Sequence, residues 1–230
     1  SENGGSATLT ASLDRVASSA TVVSLSFDNS TASSGDYTLS STLTIAAGSL
    51  SENATLIGVD DNVTEGAETI KVDVSSVSGG NGATDNATQQ SITLTDDDTA
   101  SLVVSADNVT VSETGTSATF TVKLNSDPLN SVSVTLSLSD AGEARVSDNL
   151  SFSSSDWDTL QTVTVTGVDD NVSDGSQTST LTLSSSSSDS YYSGLSDNLS
   201  ITTTDNDTVG FSLSGTSATV SENGSVSDNF

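Results

Sequence analysis

The sequence predicts an all-β chain built as tandem two-sheet sandwiches. Three observations predict it. Apolar residues, mostly Val, Leu and Ile, alternate with Ser and Thr at period two over short runs. No useful length of helical periodicity interrupts them. The pattern also returns after about 110 residues, the size of one β-sandwich domain.

The repeat organises every element. Gly58-Val59-Asp60-Asp61-Asn62-Val63-Thr64-Glu65-Gly66 returns as Gly167-Val168-Asp169-Asp170-Asn171-Val172-Ser173-Asp174-Gly175, an offset of 109 residues. Ser1-Glu2-Asn3 recurs as Ser112-Glu113-Thr114 and again as Ser221-Glu222-Asn223. Ser6-Ala7-Thr8-Leu9-Thr10 recurs as Ser117-Ala118-Thr119-Phe120-Thr121, and Asp96-Asp97-Asp98 as Asp205-Asn206-Asp207. Placing the boundary after each acidic triplet gives three segments. Residues 1–98 are a module lacking its first strand, 99–207 a complete module, and 208–230 the opening of a following one.

In the first module strands are expected near 6–13, 20–27, 42–46, 54–60, 67–75 and 89–95. In the second they are expected near 100–112, 117–124, 131–138, 149–153, 161–168, 178–184 and 198–204. The run from Thr21 to Phe27 and the run from Val132 to Leu138 alternate as strands with one wet face do. Ser78-Gly79-Gly80-Asn81-Gly82 is turn chemistry, and the serine run 184–188 reads as a loop between two late strands. Trp157 reads as a packing anchor or turn plug, and Lys71 and Lys123 as surface lysines lying along strands.

Composition excludes several functions. With 31 acidic and 4 basic residues the formal charge is −27. Such a chain is unsuited to nucleic acid, whose phosphates require Lys and Arg, and to anionic membranes. It contains no Cys, so there is no disulfide framework, thiol nucleophile or zinc–thiolate site. It contains no His, the commonest general base and transition-metal ligand. No run is long enough to span a bilayer and no signal peptide is visible; a start at Ser1 implies processing or excision from a longer chain. Paired acids such as Asp60 and Asp61 could serve a glycosidase, but no aromatic sugar platform accompanies them. The acidity alone would also suit solubility or salty surroundings, but that leaves its clustering at repeated loop positions unexplained.

Those clusters point to metal. Two adjacent carboxylates at a strand end repel each other, and the chain has almost no cationic side chains to offset them. Calcium takes six to eight oxygen ligands. The first module offers Glu2, Asp36, Asp60, Asp61, Glu65, Glu68, Asp96, Asp97 and Asp98, all at strand ends that a sandwich can gather at one pole. There is no linear calcium loop, so any site is composite.

The motifs Val-Ser-Glu (Val111-Ser112-Glu113), Gly35-Asp36-Tyr37, Val59-Asp60-Asp61 followed by Glu65 and Glu68, and Asp96-Asp97-Asp98 resemble the Calx-beta domain over nearly the whole chain. The resemblance implies an immunoglobulin-like two-sheet sandwich with calcium at the module junction, held by the nine carboxylates just named. For the second module it implies Glu113, Asp148 as a rough match for Asp36, Asp169, Asp170, Asp174, Asp205 and Asp207. Asp174, Gln177 and Asn206 depart from the pattern there, which implies weaker binding or fewer ions. Glu222 would hold the start-of-module position in a further repeat.

The function expected is a non-enzymatic, extracellular or cell-surface structural protein, a fibre, stalk or adhesin extender with calcium-stiffened joints. The partners expected are adjacent repeats or neighbouring copies of the same protein, arranged head to tail. The phase of the segments suits donor-strand exchange, in which 208–230 of one copy completes 1–98 of the next. It suits equally a slice of a longer covalent chain, and Phe230, in mid-strand like Phe120, favours the slice. A calcium sensor ranks below both, because no effector segment is visible. Glycans and surface ligands are further partners; Asn-x-Ser/Thr sequons are frequent, though a Ser- and Thr-rich chain makes them by chance.

Overall fold

The computed structural model describes residues 1–28, 30–212 and 222–223. Sixteen strands and no helix run through them. Of the segment expected to open a following module, residues 213–221 and 224–230 lie outside the described residues.

Seven strands build the first sandwich: β1 (Ser6–Ser12), β2 (Thr21–Ser26), β3 (Tyr37–Thr38), β4 (Thr42–Ile45), β5 (Ser51–Gly58), β6 (Glu68–Gly79) and β7 (Gln90–Leu94). They form two sheets, in order β1-β5-β3 and β4-β2-β6-β7. Nine strands build the second: β8 (Leu102–Val104), β9 (Asn108–Ser112), β10 (Ser117–Leu124), β11 (Val132–Leu138), β12 (Ala144–Val146), β13 (Leu150–Phe152), β14 (Gln161–Gly167), β15 (Gln177–Ser186) and β16 (Ser196–Thr204). Their sheets run β12-β14-β10-β8 and β13-β11-β15-β16-β9.

The period-two pattern sets which side chains enter the core. In β10, Phe120, Val122 and Leu124 face inward while Thr119, Thr121 and Lys123 face away, and β14 buries Val163 and Val165 in the same manner. With Leu181, Leu183, Leu199, Ile201, Phe152 and Tyr192 they make the core of the second sandwich. Each large apolar side chain fully buried there contributes roughly 1.5–3 kcal/mol. Trp157 packs against this core, as an anchor should. The first core is smaller, centred on Leu56, Ile70, Val72 and Leu94.

Three details differ from the sequence reading. The run expected as one strand over 100–112 is two. β8 pairs antiparallel with β10, whereas β9 pairs parallel with β16 in the opposite sheet. Ser105-Ala106-Asp107 carries the chain across the seam between the sheets, and periodicity continues through such a crossing without marking it. β3 and β12, of two and three residues, escape the sequence reading. The serine run is not all loop. β15 continues to Ser186, and the buried Ser185 donates its hydroxyl to the Tyr192 carbonyl at 2.5 Å.

Candidate metal centre

The site begins with two glycines. A Cβ on Gly58 would lie 2.2 Å from the Ser1 carbonyl oxygen, and one on Gly167 would lie 2.1 Å from that of Ser112. Only glycine lets the incoming chain cross the end of β5 or β14 so closely. The crossing is pinned by the Glu2 N–H donating to the Thr95 carbonyl at 3.0 Å, and by Glu113 N–H donating to Thr204 at 3.1 Å. Each crossing delivers a glutamate beside its Asp-Asp loop. Gly167→Ala should therefore cost about 1–3 kcal/mol, the usual penalty of forced overpacking, read as a lower midpoint in urea unfolding with an unchanged slope.

In the first module Glu2, Glu65 and Glu68 bring carboxylate oxygens within 4.8 Å of one another, and Asp36, Asp61 and Glu65 do the same. Glu65 belongs to both trios, so five carboxylates share one place. Glu2 is 2% exposed. Its Oε1, with Glu65 Oε2 and Glu68 Oε2, is buried and has no hydrogen-bond partner. Burial, joined by the charges of Asp96, Asp61, Glu65 and Asp36, pushes Glu2 up to about 7. Burial, a hydrogen bond with Asp36 and neighbouring charges push Glu68 up to about 7 as well. Glu65 is raised by burial and by Asp36, Asp61 and Asp96. The four cationic side chains, Arg15, Lys71, Lys123 and Arg145, are not among the groups acting on these acids.

Asp96 differs. Burial pushes it up, but N–H groups of Gly66, Asp98 and Glu65 outweigh that and hold it low. Those bonds, from Glu65 and Gly66 at 2.8 and 2.9 Å and from Asp98 at 2.7 Å, tie the exit triplet to the acidic loop. Gly66, at φ +80°, supplies the left-handed turn that points both amides one way. Asp98 is raised by burial and by Asp96, Asp97, Asp61 and Asp60. Asp60 and Asp97 stay exposed at the rim, Asp97 accepting from Asn3 Nδ2 at 3.1 Å.

The second module repeats the plan with fewer charges. Glu113, Asp205 and Asp207 bring oxygens within 4.8 Å of one another. The Asn206 N–H favours ionised Glu113, yet burial and the charges of Asp205, Asp170 and Asp207 push it up. Asp205 is held low by N–H donors from Asp207 and Gly175, as Asp96 is by theirs. Asp169 accepts from Asn206 Nδ2 at 3.0 Å and Asp170 from the Val172 N–H at 2.7 Å. Asp174 is exposed. Asp148 is not the counterpart of Asp36. It is exposed after β12, whereas Glu143 stands before β12 as Asp36 stands before β3. The carbonyls of both receive the next β-end amide, Val59 to Asp36 at 2.8 Å and Val168 to Glu143 at 2.9 Å. Glu143 is raised by burial and by Asp174, Asp140, Glu113 and Asp170. Matching Gly142-Glu143-Ala144 to Gly35-Asp36-Tyr37 would have found it. Glu222 is exposed and belongs to none of these groups.

Residues the sequence reading did not single out join the first site to the second module. The Asp127 N–H donates to the Asn62 carbonyl at 2.6 Å, and Val63 and Asp127 form a parallel bridge. The hydroxyls of Thr64 and Ser126 are 2.8 Å apart, both buried. Ser126 also meets the Tyr192 hydroxyl at 2.8 Å, and that hydroxyl donates to the Ser126 carbonyl at 2.6 Å. The Tyr191 hydroxyl donates to the carbonyl of Glu65. The acidic loop of one module is thus gripped by two loops of the next. The signals available were the single proline, Pro128, and a Tyr-Tyr pair in an aromatic-poor chain.

The family model for the Calx-beta domain matches the chain twice, over residues 1–98 and 95–207. The structure of CBD12 from CALX1.2 is similar at 15% identity over 83% of this chain and 78% of that one, with a TM-score of 0.36. The calcium binding domain CBD12 of CALX1.1 is similar at 16% identity over 80% and 74%, with a TM-score of 0.37. The periplasmic chaperone SfaE is similar at 10% identity over 46% of this chain, with a TM-score of 0.38, and the match spans 57% of that protein's length. No curated protein sequence matches the chain. No helix among the described residues is long and apolar enough to cross a membrane.

Proposed function

The chain belongs to the Calx-beta domain family, whose members are non-catalytic binding and structural modules, and from that premise we propose that it is a non-enzymatic repeat protein of the cell exterior whose module joint is stiffened by calcium. The observation that carries this reading is the set of buried, unpartnered carboxylate oxygens on Glu2, Glu65 and Glu68, in a pocket of five acids. Buried charge without a partner is expensive, and a hard cation with many oxygen ligands is the partner this donor set fits. Glu2, Asp36, Asp61, Glu65 and Glu68 would hold the ion, with Asp98 near Asp61 and Asp60 at the rim.

The bound ion supplies positive charge that cancels the mutual repulsion of these acids. The rest is done by the protein. Asp96 anchors the 65–66 amides and so sets where Glu65 points. Glu65 offers its carboxylate to the pocket and its carbonyl to Tyr191 of the second module. Thr64 beside it meets Ser126 and, through it, Tyr192. Fixing the loop therefore fixes the angle between modules, which suits a stalk, fibre or adhesin extender. The second module's trio, with fewer charges, would hold its ion less tightly.

Thermal melting tests the reading. An ion bound only by the folded state stabilises it by about 2.7 kcal/mol at a hundredfold excess over Kd. Calcium should raise the melting temperature and a chelator should reverse the rise. Magnesium, with its small octahedral shell, should do little. A melting curve indifferent to calcium and chelator would leave the acidity as an adaptation to salt.

A further inference from the structure

Asp127 is a carboxylate that the second sandwich does not need for itself. Its loop joins β10 to β11, as residues 13–20 join β1 to β2, and the offset on both flanks is 111 residues (117 − 6 and 132 − 21). At that offset Val16 holds the place of Asp127, and Val16 is 60% exposed. The loop of the first sandwich thus closes without an acid there. In the second the acid is held firmly. Pro128 is buried and disfavours the helical region for the residue before it, which keeps Asp127 extended. Ser126 N–H donates to the Tyr192 hydroxyl at 3.0 Å on one side, and Leu129 N–H to Asp189 Oδ2 at 3.0 Å on the other.

This anchored loop meets the acidic turn of the first module. The Asp127 N–H donates to the Asn62 carbonyl at 2.6 Å, and Asp127 bridges Val63. Asp61 Oδ1 accepts the Val63 N–H at 2.8 Å. Asp61 and Asp127, one from each module, therefore flank the same two residues. Asp127 Oδ1 is buried and has no hydrogen-bond partner. Burial, and after it the charge of Asp61, push the Asp127 carboxyl up, and none of the four cationic side chains is among the groups acting on it. Two acids brought together away from water are unfavourable unless a cation lies between them. Asp61 already belongs to the five-acid pocket, where Glu2 is 2% exposed and its Oε1 is unpartnered.

Resting on the calcium reading above, we propose that Asp127 is a ligand donated across the joint, so that the calcium held by Asp61 is bound by both modules at once. Tyr191 and Ser126 grip the loop that carries the first module's ligands, whereas Asp127 touches the ion itself. The first module alone then offers an incomplete set of ligands, which the second completes when it docks. Ion binding and docking become linked equilibria, and each strengthens the other by the same factor.

The test compares the whole chain with its Asp127→Ala variant, which leaves the main-chain bond to Asn62 in place. Calorimetry should give a calcium affinity at least about tenfold lower in D127A, the low end of what losing even a supporting group costs at a metal site. The loss should persist in roughly 0.5 M salt, where charges acting only through solvent are screened. Terbium, which takes calcium's place, should carry about one more water in D127A, counted from its luminescence lifetimes in ordinary and heavy water, because water fills a vacant ligand position. In chelator D127A should melt no lower than wild type, since an unpartnered buried carboxylate oxygen is gone. If wild type binds calcium and D127A matches it in affinity and hydration, the proposal is overturned and the five-acid site stands. A D127A chain that melts well below wild type in chelator makes Asp127 a structural residue and overturns the proposal too. Wild type that binds no calcium removes both readings.

Discussion

Asp61→Asn combined with Glu65→Gln should weaken calcium binding to the first module by at least 100-fold, measured by calorimetry. Loss of groups merely supporting a metal ligand typically costs about 10–100-fold, and these two are placed among the ligands. Asp61 Oδ1 also accepts the Val63 N–H at 2.8 Å. Asn retains that acceptor, so the substitution removes charge and leaves the turn intact. Asp14→Asn and Asp28→Asn, which change exposed acids outside the cluster, should leave the affinity unchanged. The metal-free double variant should be more stable than metal-free wild type, because it removes two of five mutually repelling charges. A variant that is merely misfolded would lose stability in both conditions, which separates the two explanations. Equal affinity for all four chains would refute the ligand assignment.

The second large effect is a reversal of pH dependence. Glu2 and Glu68 have an ordinary value of 4.5 and are pushed up to about 7 in the metal-free fold. Between those values the folded state holds more protons than the unfolded one, so stability falls as pH rises. Their stabilising contribution is full below about 4.5 and lost by about 7. In chelator, therefore, mild acidification from pH 7 should raise the melting temperature. In saturating calcium the same acids must be ionised to bind, protons compete with the ion, and mild acidification should lower it. Asp96 and Asp205, held low by N–H donors, oppose the metal-free trend only near and below their ordinary 3.8. Melting curves from pH 7 to 5 with and without calcium test the crossing of the two trends. Parallel trends would mean that the carboxylates of Glu2 and Glu68 face no ion.

Much of this is legible in the residues. Alternation in the stretches that form β10, β11 and β14 sets strands and inward faces almost to the residue, because one buried face leaves no freedom of register. Strand-end position and the family resemblance name Glu2, Asp36, Asp61, Glu65 and Glu68 among nine candidates, and the fold brings those five together. Three things escape periodicity and spacing. The crossing at Ser105–Asp107 keeps its alternation while changing sheets, so periodicity cannot show it. Distance along the chain points to Asp148 as the counterpart of Asp36, but loop lengths differ, and backbone pairing puts Glu143 there. The grip of Ser126, Asp127, Tyr191 and Tyr192 on the acidic loop is made by residues of two modules that no within-module repeat can relate.

An ion held among Glu2, Asp36, Asp61, Glu65 and Glu68 would sit beside the second module, and terbium tests that placement most directly. Terbium is an oxygen-seeking cation that substitutes for calcium and luminesces when a nearby aromatic ring is excited. Tyr191, whose hydroxyl reaches the Glu65 carbonyl, and Tyr37, which follows Asp36 and feels its charge, are the rings placed to sensitise it. Tyrosine excitation should give terbium emission that calcium competes away, that falls in Tyr191→Phe and falls further when Tyr37→Phe is added, and that is abolished in the Asp61→Asn, Glu65→Gln chain. Emission that is absent from wild type, or that persists undiminished in the double variant, would contradict an ion at this joint.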